Sequence, residues 1–221
     1  MPEEKYTRTK VKCCGLRRPE DIDAVNAAGA DFAGFILTER FWRYIPPEEV
    51  KKLRARLNPG IASVGVIVNE PLSYAASLVS GGIVDMIQLH GDEENAYIDA
   101  LRAMIAPADD AEPYAGRIIK AFKITCDADL TRAAVSHADY ILLDSGTGTG
   151  QTFDWRLMRD IGRPYFFAGG LNPENAADAV RRFHPFAVDV SSGIETDRVK
   201  DPQKILSFVH AVHTSVRRFS Q

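Results

Sequence analysis

Short apolar, strand-like runs alternate with helical patterns eight times along this chain, and that alternation restricts the fold more than any other feature. The runs are Lys10 to Cys14, Phe32 to Leu37, Ala62 to Val68, Val84 to Leu89, Ile118 to Ile124, Tyr140 to Leu143, Tyr165 to Ala168 and Phe186 to Val190. Parallel strands need a crossover between each pair, and a helix is the usual crossover. The pattern therefore predicts an α/β chain folded as a single-domain (β/α)8 TIM barrel over residues 1–221. A doubly wound open sheet is the alternative, because periodicity does not report closure.

Local signals set the helix boundaries. Pro19 followed by Glu20 and Asp21 opens the first helix, where proline lacks only a surplus donor and acids complement the helix dipole, and Gly29 closes it. Pro46-Pro47-Glu48-Glu49 opens the second, with Val50, Leu53 and Leu57 on one face and Asn58-Pro59-Gly60 as the stop. Asn69 is placed to cap the helix begun by Pro71, Asp154 to cap a sixth helix carrying Trp155, Met158 and Ile161, and Asn172-Pro173 to start a seventh. Asp201 and Pro202 begin the last, whose apolar stripe is Ile205, Phe208, Val209 and Val212.

Composition narrows the partners. The formal net charge is -3, from 27 basic and 30 acidic residues scattered along the chain, so no global field draws nucleic acid or an acidic membrane. No apolar run is long enough to span a bilayer, and the charged stretch Met1 to Lys10 is neither a leader nor an anchor. The three cysteines, Cys13, Cys14 and Cys126, form no zinc-site spacing and no plausible bridge, which predicts a reducing, cytoplasmic setting. Length and composition leave monomer and homodimer equally open.

Barrels of this kind keep their chemistry at the carboxyl ends of the strands. Cys14 ends the first run and Asp144 follows the sixth, so in a closed barrel a thiol and a carboxyl face each other across the mouth as base and acid. Lys12 lies one inward position below Cys14. It either lowers the thiol pKa or neutralises a buried acid such as Asp189. His90 shares a face with Gln88 at the end of the fourth run and joins the substrate-binding candidates. Gly169-Gly170 and Ser191-Ser192-Gly193 end the seventh and eighth runs, where backbone amides can take a phosphate monoester. Arg43, among Phe41, Trp42 and Tyr44, suits a carboxylate held by both arms of its fork, or else a surface stack on Trp42.

The loop Ser145 to Thr152 reads as a mobile cover over the site. It is not a nucleotide P-loop, because Gln151 occupies the position where that motif needs lysine.

These residues resemble the phosphoribosylanthranilate isomerase family of tryptophan biosynthesis. The resemblance rests on Lys12-Cys13-Cys14-Gly15-Leu16, Val64 to Asn69, Gln88-Leu89-His90-Gly91, Gly148-Thr149-Gly150 with Thr152 to Trp155, Ala168 to Leu171, and Val188 to Glu195, in family order. It implies an Amadori rearrangement of N-(5-phosphoribosyl)anthranilate to 1-(2-carboxyphenylamino)-1-deoxyribulose 5-phosphate, with no metal and no organic cofactor. On that resemblance Asp144 is the general acid, Cys14 the base at carbon 2, Arg43 the holder of the anthranilate carboxylate, and the last two loops the phosphate site.

One stretch departs from the pattern. Where the family has a Lys-Ser-Pro-Arg-Tyr-like loop, this chain has Arg40-Phe41-Trp42-Arg43-Tyr44. The departure keeps a second reading open, the same chemistry on a different aglycone. A third, from another class, is a non-catalytic barrel that only binds a phosphorylated metabolite.

Overall fold

The computed structural model describes residues 8–105, 113–144 and 161–215. Eight parallel strands close into a barrel in chain order: β1 (Lys10–Cys14), β2 (Phe32–Ile36), β3 (Ala62–Ile67), β4 (Met86–Leu89), β5 (Ile118–Lys123), β6 (Tyr140–Asp144), β7 (Tyr165–Ala168) and β8 (Ala187–Val190). Closure is explicit in the register, since β1 pairs with β8 through Lys10 with Ala187 and Lys12 with Asp189. The open-sheet alternative is thereby removed.

Among the described residues seven helices stand outside: α1 (Pro19–Ala28), α2 (Pro47–Arg54), α3 (Leu72–Ser80), α4 (Asn95–Ile105), α5 (Asp127–Ala134), α6 (Ala176–Phe183) and α7 (Pro202–Thr214). The expected helix from Asp154 and the expected loop Ser145 to Thr152 lie outside the described residues.

Alternation along each strand sorts two apolar layers. Val11 and Cys13 of β1 and Ala33 and Phe35 of β2 point outward to the helices, whereas Phe32, Val64, Met86, Ile119, Leu142 and Phe166 fill the barrel interior. The lower interior is aromatic. Phe32 and Phe166 lie 5.2 Å apart between ring centroids, and Tyr140 stacks on Phe186 at 4.9 Å. Among the described residues the barrel floor is thus a packed plug, and ligands are expected at the carboxyl end.

Local chemistry explains most boundaries. Gly29 ends α1 at φ 71°, and the Asp201 carboxylate accepts the backbone N–H groups of Gln203 and Lys204 to cap α7. Two expected caps are corrected. Asn69 sits at φ 56° with its side chain bonded to Asp92, and α3 instead starts at Leu72 after Pro71. Asn172 accepts from the N–H groups of Glu174 and Asn175, closing a turn that delays α6 to Ala176.

An element absent from the sequence reading follows β8. A single 3-10 turn, Ser192–Ile194, leads into a small antiparallel hairpin of β9 (Glu195–Thr196) and β10 (Val199–Lys200).

Candidate active site

The carboxyl ends of the strands surround a cavity of about 280 Å³. Its lining includes Cys14, Arg43, Gln88, His90, Asp144, Gly169, Gly170, Asp189, Ser191 and Ser192. Seven expected site residues thus meet in one space besides Arg43. Lys12 lies beneath it, fully buried, and Gly193 follows Ser192 against the Leu171 carbonyl.

Inward alternation puts Lys12 and Cys14 on successive rungs of β1, next to Asp189 of β8. The Lys12 ammonium donates to Asp189 Oδ1 at 2.9 Å. Burial alone would lower the Lys12 pKa, yet the Asp189 carboxylate beside it brings it above the usual lysine range. Lys12 is therefore a cation that has its counter-ion. Both roles weighed for it are present, but the second outweighs the first at rest. Burial pushes the Cys14 thiol up, and the pull of Lys12 in the other direction only moderates this. Burial thus favours the thiol form, and the thiolate, once formed there, would be a strong base.

Asp144 stands on β6, three strands from β1 by way of β7 and β8. His90 Nε2 approaches Asp144 Oδ2 at 3.6 Å, and His90 Nδ1 is 2.8 Å from Gln88 Nε2. In the tautomer whose Nδ1 accepts from the Gln88 amide, the ring proton is on Nε2, the nitrogen that faces Asp144.

The turn carrying His90 is held from below by a buried pair that the sequence reading missed. Lys120 donates to Glu93 Oε2 at 2.9 Å and to the Gly91 carbonyl at 2.6 Å, while Glu93 accepts the N–H groups of Asn69 and Gly91. A charged residue inside the apolar run of β5 was the available signal. Burial alone would raise the Glu93 pKa; these amides and the lysine hold it below the usual range.

The two glycine-bearing loops abut. Gly169 and Gly170 adopt φ 102° and 63°, values that side chains rarely tolerate, and a Cβ on Gly193 would collide with the Leu171 carbonyl. Backbone from both loops can therefore approach one ligand group closely. Ser191 Oγ is spent on the Cys14 carbonyl at 3.1 Å, which ties the loop after β8 to the end of β1.

Arg43 is more constrained than expected. Its Nε and Nη2 donate to Glu195 Oε1 and Oε2 at 2.9 and 2.8 Å, and its guanidinium lies 4.0 Å from the Trp42 ring centroid. Glu195 also accepts from Lys200 at 2.8 Å. The sequence offered no pairing signal for Glu195 or Lys200, which meet Arg43 only through the hairpin.

A protein-family model described as N-(5'-phosphoribosyl)anthranilate isomerase matches residues 11–211. A relative of that name from Lacticaseibacillus casei is 42% identical over 200 residues, covering 90% of this chain and 92% of the relative. The crystal structure of phosphoribosyl anthranilate isomerase from Thermotoga maritima superposes with a TM-score of 0.82 at 35% identity, covering 92% of this chain and 98% of that one. A structure of such an enzyme in complex with reduced 1-(o-carboxyphenylamino)-1-deoxyribulose 5-phosphate gives 0.77 at 36% identity, with the same coverage.

Proposed function

The chain belongs to the N-(5'-phosphoribosyl)anthranilate isomerase family, and from that premise we propose which of its residues carry out the family's Amadori rearrangement. The activity is that of an isomerase in tryptophan biosynthesis, converting N-(5'-phosphoribosyl)anthranilate to 1-(2-carboxyphenylamino)-1-deoxyribulose 5-phosphate. The observation that carries the assignment of roles is the shared cavity lined by Cys14, Asp144, Arg43 and both glycine-bearing loops.

In this reading the phosphate lies against Gly169, Gly170 and the Ser191-Ser192-Gly193 turn, and the anthranilate carboxylate against Arg43. Asp144 gives its proton to the ring oxygen as the bond from carbon 1 breaks, leaving an iminium ion between carbon 1 and nitrogen. That cation acidifies the hydrogen on carbon 2, which the Cys14 thiolate removes to form a neutral enolamine. Ketonisation then puts a proton on carbon 1 and releases one from the enol oxygen, so substrate and product are isomers. His90, whose Nε2 lies 3.6 Å from Asp144 Oδ2, steadies the carboxylate after proton transfer, and Lys12 offsets part of the cost of the buried thiolate.

The ligand is a small phosphorylated molecule, and the chain acts as a monomer or homodimer in the cytoplasm, folded as one domain. No helix among the described residues is long and apolar enough to cross a membrane, in keeping with that setting. A second reading, a different aglycone, is favoured by the exposed Trp42 stacked on Arg43.

Loss of substrate fluorescence on freshly made phosphoribosylanthranilate tests the reading directly. The parent protein should turn it over, and Asp144→Asn should bind but not convert. Near-normal turnover by that variant would remove Asp144 from the mechanism. Failure to rescue a tryptophan auxotroph lacking the isomerase, with activity on another aminoaldose phosphate, would favour the second reading.

A further inference from the structure

Arg43 enters the pocket already gripped on one edge and one face. Glu195 takes Nε and Nη2 along one edge of the guanidinium, and the Trp42 ring covers a face. Nη1 is the arm these contacts leave for a ligand.

Glu195 is itself immobilised. Its side chain is 7% exposed, and it shares Oε1 between Arg43 and Lys200, whose own side chain is 2% exposed. The hairpin register pairs Lys200 with Glu195, and the Lys200 ammonium also donates to the Ser191 carbonyl at 2.8 Å. Burial lowers the Lys200 pKa, partly offset by Glu195. Burial alone would raise the Glu195 pKa; Arg43 and Lys200 instead bring it below the usual carboxylate range. Two cations thus share one anion. The cluster therefore carries a net positive charge, and Arg43 is its member that lines the cavity.

We propose that Glu195 and Lys200 are positioning residues for the carboxylate-bearing half of the substrate: Glu195 fixes the plane and direction of the Arg43 fork, and Lys200 anchors Glu195 to the Ser191 turn. The proposal deepens the reading above and rests on it. Because Glu195 is clamped by Lys200, an incoming carboxylate adds to the free edge of Arg43 and does not displace Glu195. The aglycone end and the phosphate end of the pocket are then built on one bonded chain, Arg43 to Glu195 to Lys200 to Ser191.

The test compares two inhibitors of the purified protein: the reduced product analogue with its carboxylate, and its phenylamino counterpart without one. Glu195→Gln should weaken the carboxylated analogue by about tenfold and the carboxyl-free one by less than about twofold, the size expected when one oriented charged contact is lost. KM for substrate should rise by a similar factor, with kcat changing less. Arg43→Ala combined with Glu195→Gln should bind the carboxylated analogue no worse than Arg43→Ala alone. Glu195→Asp, which retains the charge, should show an intermediate loss confined to the carboxylated analogue and serves if the glutamine variant does not fold. Equal losses on both analogues, no loss, or tighter binding of the carboxylated one would overturn the proposal. A parent protein that neither converts phosphoribosylanthranilate nor prefers the carboxylated analogue would instead overturn the underlying reading.

Discussion

Lys12 and Asp189 meet at 2.9 Å where β1 closes against β8, directly under the Cys14 thiol. Their side chains are 0% and 10% exposed, so the pair is almost wholly removed from water. It has two consequences, one for stability and one for the pH dependence of catalysis.

Removing one member of a buried pair leaves the other charge uncompensated, which typically costs about 3–5 kcal/mol. Lys12→Met should therefore lower the urea midpoint sharply, and adding Asp189→Leu should restore much of the loss. A single Lys12→Met variant as stable as the parent would show that Asp189 is solvated in solution.

The raised pKa of Cys14 sets the direction of the pH profile. The proposed mechanism needs the Cys14 thiolate and a protonated Asp144 at the same time, so Lys12→Met, by removing a cation that lowers the thiol pKa, should reduce kcat/KM at neutral pH and move the alkaline limb of the profile to higher pH. Initial rates across pH, in variants shown to be folded, provide the measurement. An alkaline limb and a neutral-pH rate both unchanged in Lys12→Met would exclude Cys14 as the base.

Gly193 allows the loops after β7 and β8 to touch, since a Cβ there would strike the Leu171 carbonyl. Gly193→Ala should push the loops apart, raising KM about tenfold or more through misplacement of phosphate-binding amides. Inorganic phosphate should weaken as a competitive inhibitor in parallel.

Trp42 carries Arg43 on one face at 4.0 Å, with Arg17 and Arg198 at 5.0 and 5.7 Å from the ring centroid. Trp42 is 46% exposed, so each contact is of the weak class, about 0.5–1 kcal/mol. Trp42→Ala should raise KM about two- to fivefold with little change in melting temperature.

At the opposite end of the barrel, Asp31 accepts from Arg8, Lys10 and the Val11 amide and lies 3.9 Å from His213. Burial alone would raise its pKa, but His213, Arg8 and that amide hold it well below the usual carboxylate range. A depressed folded pKa gives stability that is present above the unfolded value of about 3.9 and lost as pH falls toward the folded one. Asp31→Asn should cost about 1.5–3 kcal/mol at neutral pH, with the two stability curves converging in acid and kcat unaffected. Urea titrations at several pH values measure this.

Much of the molecule can be read without coordinates because strand and helix periodicities record which face of each element is buried. β1 and β7 end where the pattern of apolar residues ends, and Cys14 and the glycine pairs are legible as strand-end residues for that reason. Turn chemistry was less legible. Asn69 and Asn172 both have cap-forming side chains, but one bonds to a neighbouring loop and the other closes a turn, and only packing chooses between these uses.

By itself the sequence determined the alternating layers, the parallel α/β class and the strand ends from which chemistry issues, since each depends on neighbours a few residues apart, whereas closure into a barrel rests on the pairing of β1 with β8. Which charges pair was decided by the tertiary structure. Lys12 with Asp189, Lys120 with Glu93, and Arg43 with Glu195 are separated by 177, 27 and 152 residues. A buried ion is tolerated only when a counter-ion arrives at bonding distance, and that distance exists only once the barrel has closed and its hairpin has folded over the rim.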